Sequence, residues 1–227
     1  MQHSQSAVSN EPVSNEPSTT IEVRPSNTAR VEAFSDAVMA IAITLLVLEI
    51  RLPEDSEESL LHQLLRLWPS YLAYVASFLT IGVIWLSHHN FFARIRRVDG
   101  LLQSGNLLLL FCVGFLPFPT AALAHHLEGS PWDARVATAF YGIVAAVQAG
   151  AWIVMWVALR RNPSLFEPGY DAAFVRSESR QAWVGFVAFD IIAVIALASP
   201  TIALILYVLA TLAYGVTSNG LPALRRS

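Results

Sequence analysis

Several polar side chains, among them Arg30, Ser35 and Asp36, lie at the start of a largely apolar segment, RVEAFSDAVMAIAITLLVLEI, at residues 30–50. Arg30, Ser35 and Asp36 fall within its first two turns, and nearly everything after them is apolar. A carboxylate inside a membrane costs roughly 3 kcal/mol unless it is paired, and such residues often handle ions or protons. We therefore expect other segments of the chain to bring polar partners to Asp36.

The composition is that of a membrane protein. Hydrophobic residues make up 55% and charged residues 14% of the 227 residues, whereas soluble domains average about 25% charged residues. The net charge of −3 and the lack of a basic stripe with interleaved aromatic residues argue against a nucleic-acid partner. The single cysteine, Cys112, excludes an intrachain disulfide, and its apolar neighbours predict a buried position.

Six apolar stretches are long enough to cross a bilayer, which takes roughly 20 residues. We predict an all-α integral membrane protein with six transmembrane helices, at residues 30–51, 69–93, 99–124, 133–160, 179–198 and 201–217. Pro117 and Pro119 should kink or break the third helix. Pro200 follows a very tight turn, so the fifth and sixth helices are expected to form an antiparallel hairpin.

The sequence divides into one membrane domain and two tails. Residues 1–27 are rich in Ser, Asn, Glu and Pro and hold too few apolar residues to fold, so we predict a disordered cytoplasmic tail. This tail lacks the apolar core of a signal peptide, and the first helix is therefore expected to be retained. Residues 28–218 form the predicted six-helix domain, and residues 219–227 form a short C-terminal tail.

The arginines predict the orientation in the membrane, because the chain contains no lysine. With the N-terminus in the cytoplasm, eleven arginines fall on the inner side and three, Arg51, Arg66 and Arg135, on the outer side. Positively charged residues concentrate on the cytoplasmic side of membrane proteins. Both chain ends are therefore predicted to be cytoplasmic.

This topology brings polar residues of the first three helices to one depth. With a rise of 1.5 Å per residue, Asp36, His88 or His89, and Asn106 each lie roughly 8–10 Å from the inner end of their helix. Ser35 belongs to the same layer. We predict that these side chains form a network that anchors the base of the first helix.

The first helix also carries a separate apolar stripe. At about 100° per residue, four side chains lie within about 60° of one another, and these are Phe34, Ile41, Leu45 and Leu48. Thr44 borders the stripe, whereas Asp36 points about 140° away from Ile41. Lipid requires no such stripe, because every face of a lipid-exposed helix can be apolar. Packing against another helix is the ordinary explanation, with the Thr44 hydroxyl bonded to the Ala40 carbonyl.

Other polar residues in the apolar segments indicate weaker sites. The pairs His88–His89 and His125–His126 are of a type that binds metals. We predict no metal site, because adjacent helical residues diverge and the two pairs lie near opposite membrane faces. Asp190, deep in the fifth helix, is explained by structural pairing or by a proton relay. The sequence shows no nucleophile–base arrangement and no phosphate-binding loop, so nothing in it indicates an enzyme.

The first three helices resemble a known family of channels. Arg30-Val-Glu-Ala-Phe34-Ser35-Asp36 matches the R-x-x-x-F-S-D signature of the lysosomal and bacterial potassium channels called transmembrane protein 175. The stretches AVMAIAITLLVLEIRLP, WLSHHNFF and NLLLLFCVGFLPFPT are similar to its bacterial members, in the same order. The resemblance extends over residues 28–125, and the last three helices agree mainly in number and topology.

The resemblance implies a homotetramer in the lipid bilayer of a bacterial inner membrane, with the first helix of each subunit lining a central potassium pore. It assigns the hydrophobic constriction to Ile41, further aliphatic layers to Leu45 and Leu48, and a selectivity role to Thr44. The residues that it implies hold the pore helix in place are Arg30, Phe34, Ser35, Asp36, Trp85, His88, His89 and Asn106. It implies no cofactor besides the conducted potassium ion.

The function that follows is a potassium-permeable cation channel without a carbonyl selectivity filter, because the chain has no T-V-G-Y-G motif. One alternative is a proton-coupled secondary transporter that uses Asp36, His88 and Asp190 as its relay. A transporter is expected to show a repeated half or a broken central helix, and the evenly apolar first helix speaks against it. The other alternative is a non-conducting membrane scaffold, in which Ile41 and Leu45 are packing residues.

Overall fold

The computed structural model describes residues 27–52, 58–127, 129–169 and 172–217. Within these ranges the chain forms eight α-helices: α1 (Asn27–Leu45), α2 (Leu60–Arg66), α3 (Trp68–Phe92), α4 (Gly100–Phe115), α5 (Pro117–His126), α6 (Pro131–Arg161), α7 (Ala172–Ala196) and α8 (Pro200–Thr217). Two short 3₁₀ helices, Leu46–Glu49 and Pro163–Leu165, accompany them. The two predicted tails lie outside the described residues, except that Asn27 begins α1.

Six helical segments of the described chain are long and apolar enough to cross a membrane. They are α1 with its 3₁₀ extension, α3, α4 together with α5, α6, α7 and α8, and they confirm the predicted all-α fold with six spans. The third span is interrupted at Leu116, where α4 ends and Pro117 begins α5. Proline suits this position, because the first helical turn needs no N–H donor.

Side-chain caps fix the start of two of these spans. Asp99 accepts a hydrogen bond from the Leu102 N–H at 2.9 Å and so caps α4. Ser130 accepts one from the Asp133 N–H at 3.1 Å, directly before Pro131 begins α6. Each cap satisfies a backbone donor that the first helical turn leaves without a partner.

Helix α6 is the centre of the subunit. It packs against α4, α5, α7 and α8, and most of its membrane-spanning part is buried. Glycines allow this close approach: a Cβ at Gly105 of α4 would lie 2.8 Å from the Met155 side chain, and a Cβ at Gly142 would collide with the Tyr207 hydroxyl. Gly105 and Gly142 therefore leave room for side chains of the neighbouring helices, namely Met155 of α6 and Tyr207 of α8.

Helix α1 lies at the edge of the subunit, where it packs against α3 and α4. Its buried residues and that of the following 3₁₀ turn are Thr28, Ser35, Met39, Ala42 and Leu46. These positions lie on one face of α1, so the described part of the chain leaves the opposite face of α1 uncovered. The outer end of this span tightens into a 3₁₀ turn, as helix ends often do.

Two loops on the arginine-rich side are joined by backbone contacts. Ile95 and Phe166 form an antiparallel bridge, and the Arg96 N–H donates to the Leu165 carbonyl at 2.8 Å. The Thr28 hydroxyl, at the start of α1, donates to the Arg96 carbonyl at 3.2 Å. The α3–α4 connection is thereby fixed both to the α6–α7 connection and to the base of α1.

Replacing Gly142 by alanine should destabilise the protein by roughly 1–3 kcal/mol, because the added methyl group forces Tyr207 or α8 to shift. Gly150→Ala is the matched control on the same helix, since its Cβ would lie 3.5 Å from Phe186, an ordinary contact. The control should be neutral or stabilising by up to about 1 kcal/mol. Thermal unfolding in detergent measures both variants, and equal melting temperatures would contradict the close contact of Gly142 with the Tyr207 side chain.

Candidate functional site

The predicted apolar stripe of α1 forms one exposed surface of the subunit. Phe34, Ile41, Leu45 and Leu48 are 54%, 59%, 40% and 59% exposed, respectively. Thr44 is exposed on the same face. Contiguous exposed apolar surface marks a site that interacts with something outside the subunit, here lipid, another subunit or a pore.

A buried hydrogen-bond network holds the opposite face of α1. The fully buried Asn106 of α4 donates from Nδ2 to Ser35 Oγ at 3.0 Å. Its Oδ1 accepts from His88 Nε2 of α3 at 2.9 Å, and the His88 ring stacks on Phe92 with 4.4 Å between centroids. Ser35 also donates to the Val31 carbonyl at 2.8 Å. Three helices are thus joined through one amide, and His88 rather than His89 belongs to this layer.

A second pair of contacts lies beside the buried network and links α1 to α3. Trp85 Nε1 donates to Asp36 Oδ1 at 3.0 Å. One turn nearer the start of α1, Glu32 Oε1 lies 3.0 Å from His89 Nδ1. Trp85 and His89 stack on each other with 6.2 Å between centroids. The two contacts are four residues apart on both helices, as expected for antiparallel neighbours.

The partner of Asp36 differs from the sequence-based expectation. Its depth along the helix predicted a contact with His88, His89 or Asn106. In the structure, the carboxylate instead accepts a hydrogen bond from Trp85. The reason is rotation: Asp36 lies about 100° around the helix from Ser35, so the two neighbours meet different residues. Glu32 was missed, although its position four residues before Asp36 places both on one helix face.

Arg30 and Phe34 lie outside this hydrogen-bond network. Both line a groove at the base of α1 with Val98 and Gln103. The Arg30 guanidinium forms no ion pair or hydrogen bond within the described part of the chain. Within the described residues, these two side chains therefore lie beside α4 and the α3–α4 connection along this groove and take no part in the hydrogen bonds that hold α1.

Thr44 makes a local backbone hydrogen bond. Its hydroxyl donates to the Ile41 carbonyl at 2.8 Å, three residues back, whereas the Ala40 carbonyl four residues back was expected. A helical threonine reaches either carbonyl, according to its side-chain rotamer. The hydroxyl oxygen keeps its acceptor capacity on the exposed face.

The remaining polar candidates are not gathered into a site. No group of three or more His, Cys, Asp or Glu residues in the described ranges could hold a metal ion. His125 and His126 end α5, far along the chain from the network around His88. Asp190 is exposed on α7, and the structure describes no partner for its carboxylate. Cys112 is buried, as predicted.

Known proteins share this arrangement of helices. A family model described as endosomal/lysosomal potassium channel TMEM175 matches residues 30–117. A protein of Streptomyces collinus named a potassium channel is 41% identical over 194 residues, which cover 85% of this chain and 94% of the relative. The chain belongs to the TMEM175 family. TMEM175 proteins are ion channels and not enzymes.

Two further TMEM175 relatives bear on the fold and on the function. The crystal structure of a lysosomal potassium-selective channel TMEM175 homologue from Chamaesiphon minutus matches with a TM-score of 0.73 at 35% identity, covering 85% of this chain and 98% of that one. The rat endosomal/lysosomal proton channel TMEM175 is 33% identical over 165 residues, although the chain covers only 33% of it. The fold of this chain is therefore that of a TMEM175 channel.

Replacing Asn106 by leucine should lower stability by roughly 1–3 kcal/mol for each group left unpaired, namely Ser35 and His88. Ser104→Ala, on the exposed side of the same helix, is the control and should change stability by less than about 0.5 kcal/mol. Asp36→Ala should cost less than Asn106→Leu, because the Trp85 ring is half exposed and can reach other partners. Thermal unfolding and size-exclusion chromatography measure these effects, and an unaltered Asn106→Leu protein would contradict the anchoring role.

Proposed function

We propose that this chain forms a potassium-permeable cation channel, in which four copies surround a central pore lined by α1, in the inner membrane of a bacterium. The observation that carries the proposal is the uncovered aliphatic face of α1, opposite the side that hydrogen bonds tie to its own subunit. Membership of the TMEM175 family supports it, as do the relatives that are named potassium channels.

Ile41 is the proposed constriction. A ring of four isoleucines on the axis holds no continuous water when it is narrow, so an ion would lose its hydration shell without compensation. Leu45 and Leu48 would extend this apolar neck toward the outer side. Opening then requires an outward movement or rotation of each α1, because the chain has no carbonyl filter to replace the hydration shell.

Thr44 is the proposed selectivity residue. Its hydroxyl lies one turn from Ile41 on the exposed face and donates to the Ile41 carbonyl. The oxygen can therefore offer lone pairs to a cation that has shed part of its water. Potassium gives up water more readily than sodium, so a hydroxyl ring beside an apolar neck favours potassium.

The transporter alternative is weakened by the arrangement of its relay residues. His88 is fully buried and bonded to Asn106, whereas Asp190 lies on the exposed side of α7. Proton permeation along the α1 pathway is a second candidate, because vertebrate relatives are named proton channels. A pH-sensitive dye measures it in potassium-free vesicles that contain a permeant anion such as thiocyanate to balance the charge, and a constant internal pH under an imposed proton gradient would exclude it.

Exchanging Ile41 for Asn should raise the current and reduce discrimination between cations, because four amides would hydrate the neck. Val194→Asn, at an exposed position of α7, is the control and should leave the current unchanged. Single-channel recording in planar bilayers measures both variants. If Ile41 packs between helices, the amide would be buried without partners and the protein would lose stability instead. A folded variant without extra current would contradict the pore assignment.

Thr44→Val keeps the shape of the side chain and removes the hydroxyl, so the preference for potassium over sodium should fall while conduction persists. Thr44→Ser retains the hydroxyl and is the control with preserved selectivity. Reversal potentials under bi-ionic conditions report the permeability ratio. An identical ratio in Thr44→Val would mean that the hydroxyl serves only its backbone hydrogen bond.

A further inference from the structure

A basic cleft lies where α6 ends and α7 begins, on the arginine-rich side of the subunit. Its volume is about 560 Å³, and it is lined by Arg96 of the α3–α4 connection, Arg160 of the last turn of α6 and Arg176 of α7. Glu167 is the one acidic residue that the described chain contributes to its lining. The residues that line the cleft thus carry three guanidinium groups and one carboxylate.

The three arginines of the cleft are not neutralised by the described part of the chain. Their guanidinium groups form no ion pair or hydrogen bond there. Other arginines are engaged: Arg94 lies over the Phe174 ring at 5.1 Å, and Arg66 pairs with Glu58 at 2.7 Å. Free guanidinium groups that line one cleft suit an anion, and their planar donors match the oxygens of a phosphate group.

The position of the cleft indicates where that phosphate comes from. Leu159, Phe166 and Val175 are buried and give the cleft an apolar side. Helix α6 ends at Arg161, so the cleft lies where the spans leave the bilayer, on the side predicted to be cytoplasmic. Cytoplasmic leaflets carry anionic lipids, and basic pockets between membrane helices on that side bind their headgroups.

We propose that this cleft binds the phosphate of an anionic phospholipid headgroup and that the bound headgroup orders the base of α1. Arg96 makes the connection. Arg96 lines the cleft, its N–H donates to the Leu165 carbonyl, and its own carbonyl accepts a hydrogen bond from the Thr28 hydroxyl of α1. The effect on α1 rests on the proposed channel function, whereas the binding does not.

Binding is tested with the full-length protein in non-ionic detergent. Calorimetric titration compares dioctanoyl phosphatidylglycerol, dioctanoyl phosphatidylcholine and inorganic phosphate, and only the first should bind tightly. Arg160→Gln/Arg176→Gln should weaken that binding by roughly tenfold for each arginine removed. The matched control, Arg97→Gln/Arg161→Gln, removes the same charge from exposed arginines outside the cleft lining, and its affinity should stay within about threefold.

Four results would overturn the binding proposal. Unchanged lipid affinity in the cleft variant would show that the arginines of the cleft do not bind the lipid. Equal losses of affinity in both double variants would indicate diffuse attraction to a basic surface. Inorganic phosphate binding as tightly as the lipid would assign the cleft to a soluble phosphate. If the glutamine variant does not fold, Arg160→Lys/Arg176→Lys replaces it, since lysine keeps the charge but loses the planar fork. Unchanged affinity in that variant would also overturn the proposal.

The connection to α1 is tested by recording potassium current in bilayers with and without phosphatidylglycerol. The lipid should shift the open probability of the original protein and of Thr28→Ser. It should not shift that of Thr28→Val, which lacks the hydroxyl but should bind the lipid equally well. A full lipid response in Thr28→Val would overturn the connection. A protein that binds the lipid but carries no current would instead refute the proposed channel function.

Discussion

The buried amide of Asn106 is the constraint on which the position of α1 depends. Its two ends are occupied by Ser35 of α1 and His88 of α3, and all three side chains are fully buried. Turning α1 by a single residue, about 100°, would remove Ser35 from the amide and leave buried polar groups unpaired. Such groups cost roughly 1–3 kcal/mol each. The rotation that satisfies Asn106 is also the one that leaves Ile41 uncovered.

The contacts of Asp36 with Trp85 and of Glu32 with His89 fix the height of α1 relative to α3. Beyond this polar base, α1 is held by the apolar side chains of Met39, Ala42 and Leu46, whose packing contacts have no preferred direction. The outer end then changes to a 3₁₀ turn. The base of α1 is thus specified by hydrogen bonds, whereas the level of the proposed constriction is specified by packing alone. A small rotation there breaks no hydrogen bond between helices, which suits a gate.

Sequence reasoning predicted features that depend on composition and position along a helix. The six spans, the break before Pro117, the burial of Cys112 and the common depth of the polar layer follow from apolar length and from the rise per residue. It did not predict which partners meet within that layer. Depth along a helix does not determine its rotation, so the expected partners of Asp36 were His88 or His89 and Asn106, whereas its carboxylate accepts a hydrogen bond from Trp85. The bridge between Ile95 and Phe166 joins two loops that are far apart in sequence, so no local sequence pattern predicts it.

In the proposed channel, the uncovered face of α1 meets the same face of its copies around one axis. Electron–electron distance measurements on the assembled protein test it most directly, with a spin label on Leu48→Cys in a Cys112→Ala background and, separately, on Val194→Cys of α7. We expect two short distances from the α1 label, related as the side and the diagonal of a square, and longer distances from the α7 label. Distances from the α1 label that exceed those from the α7 label would contradict it.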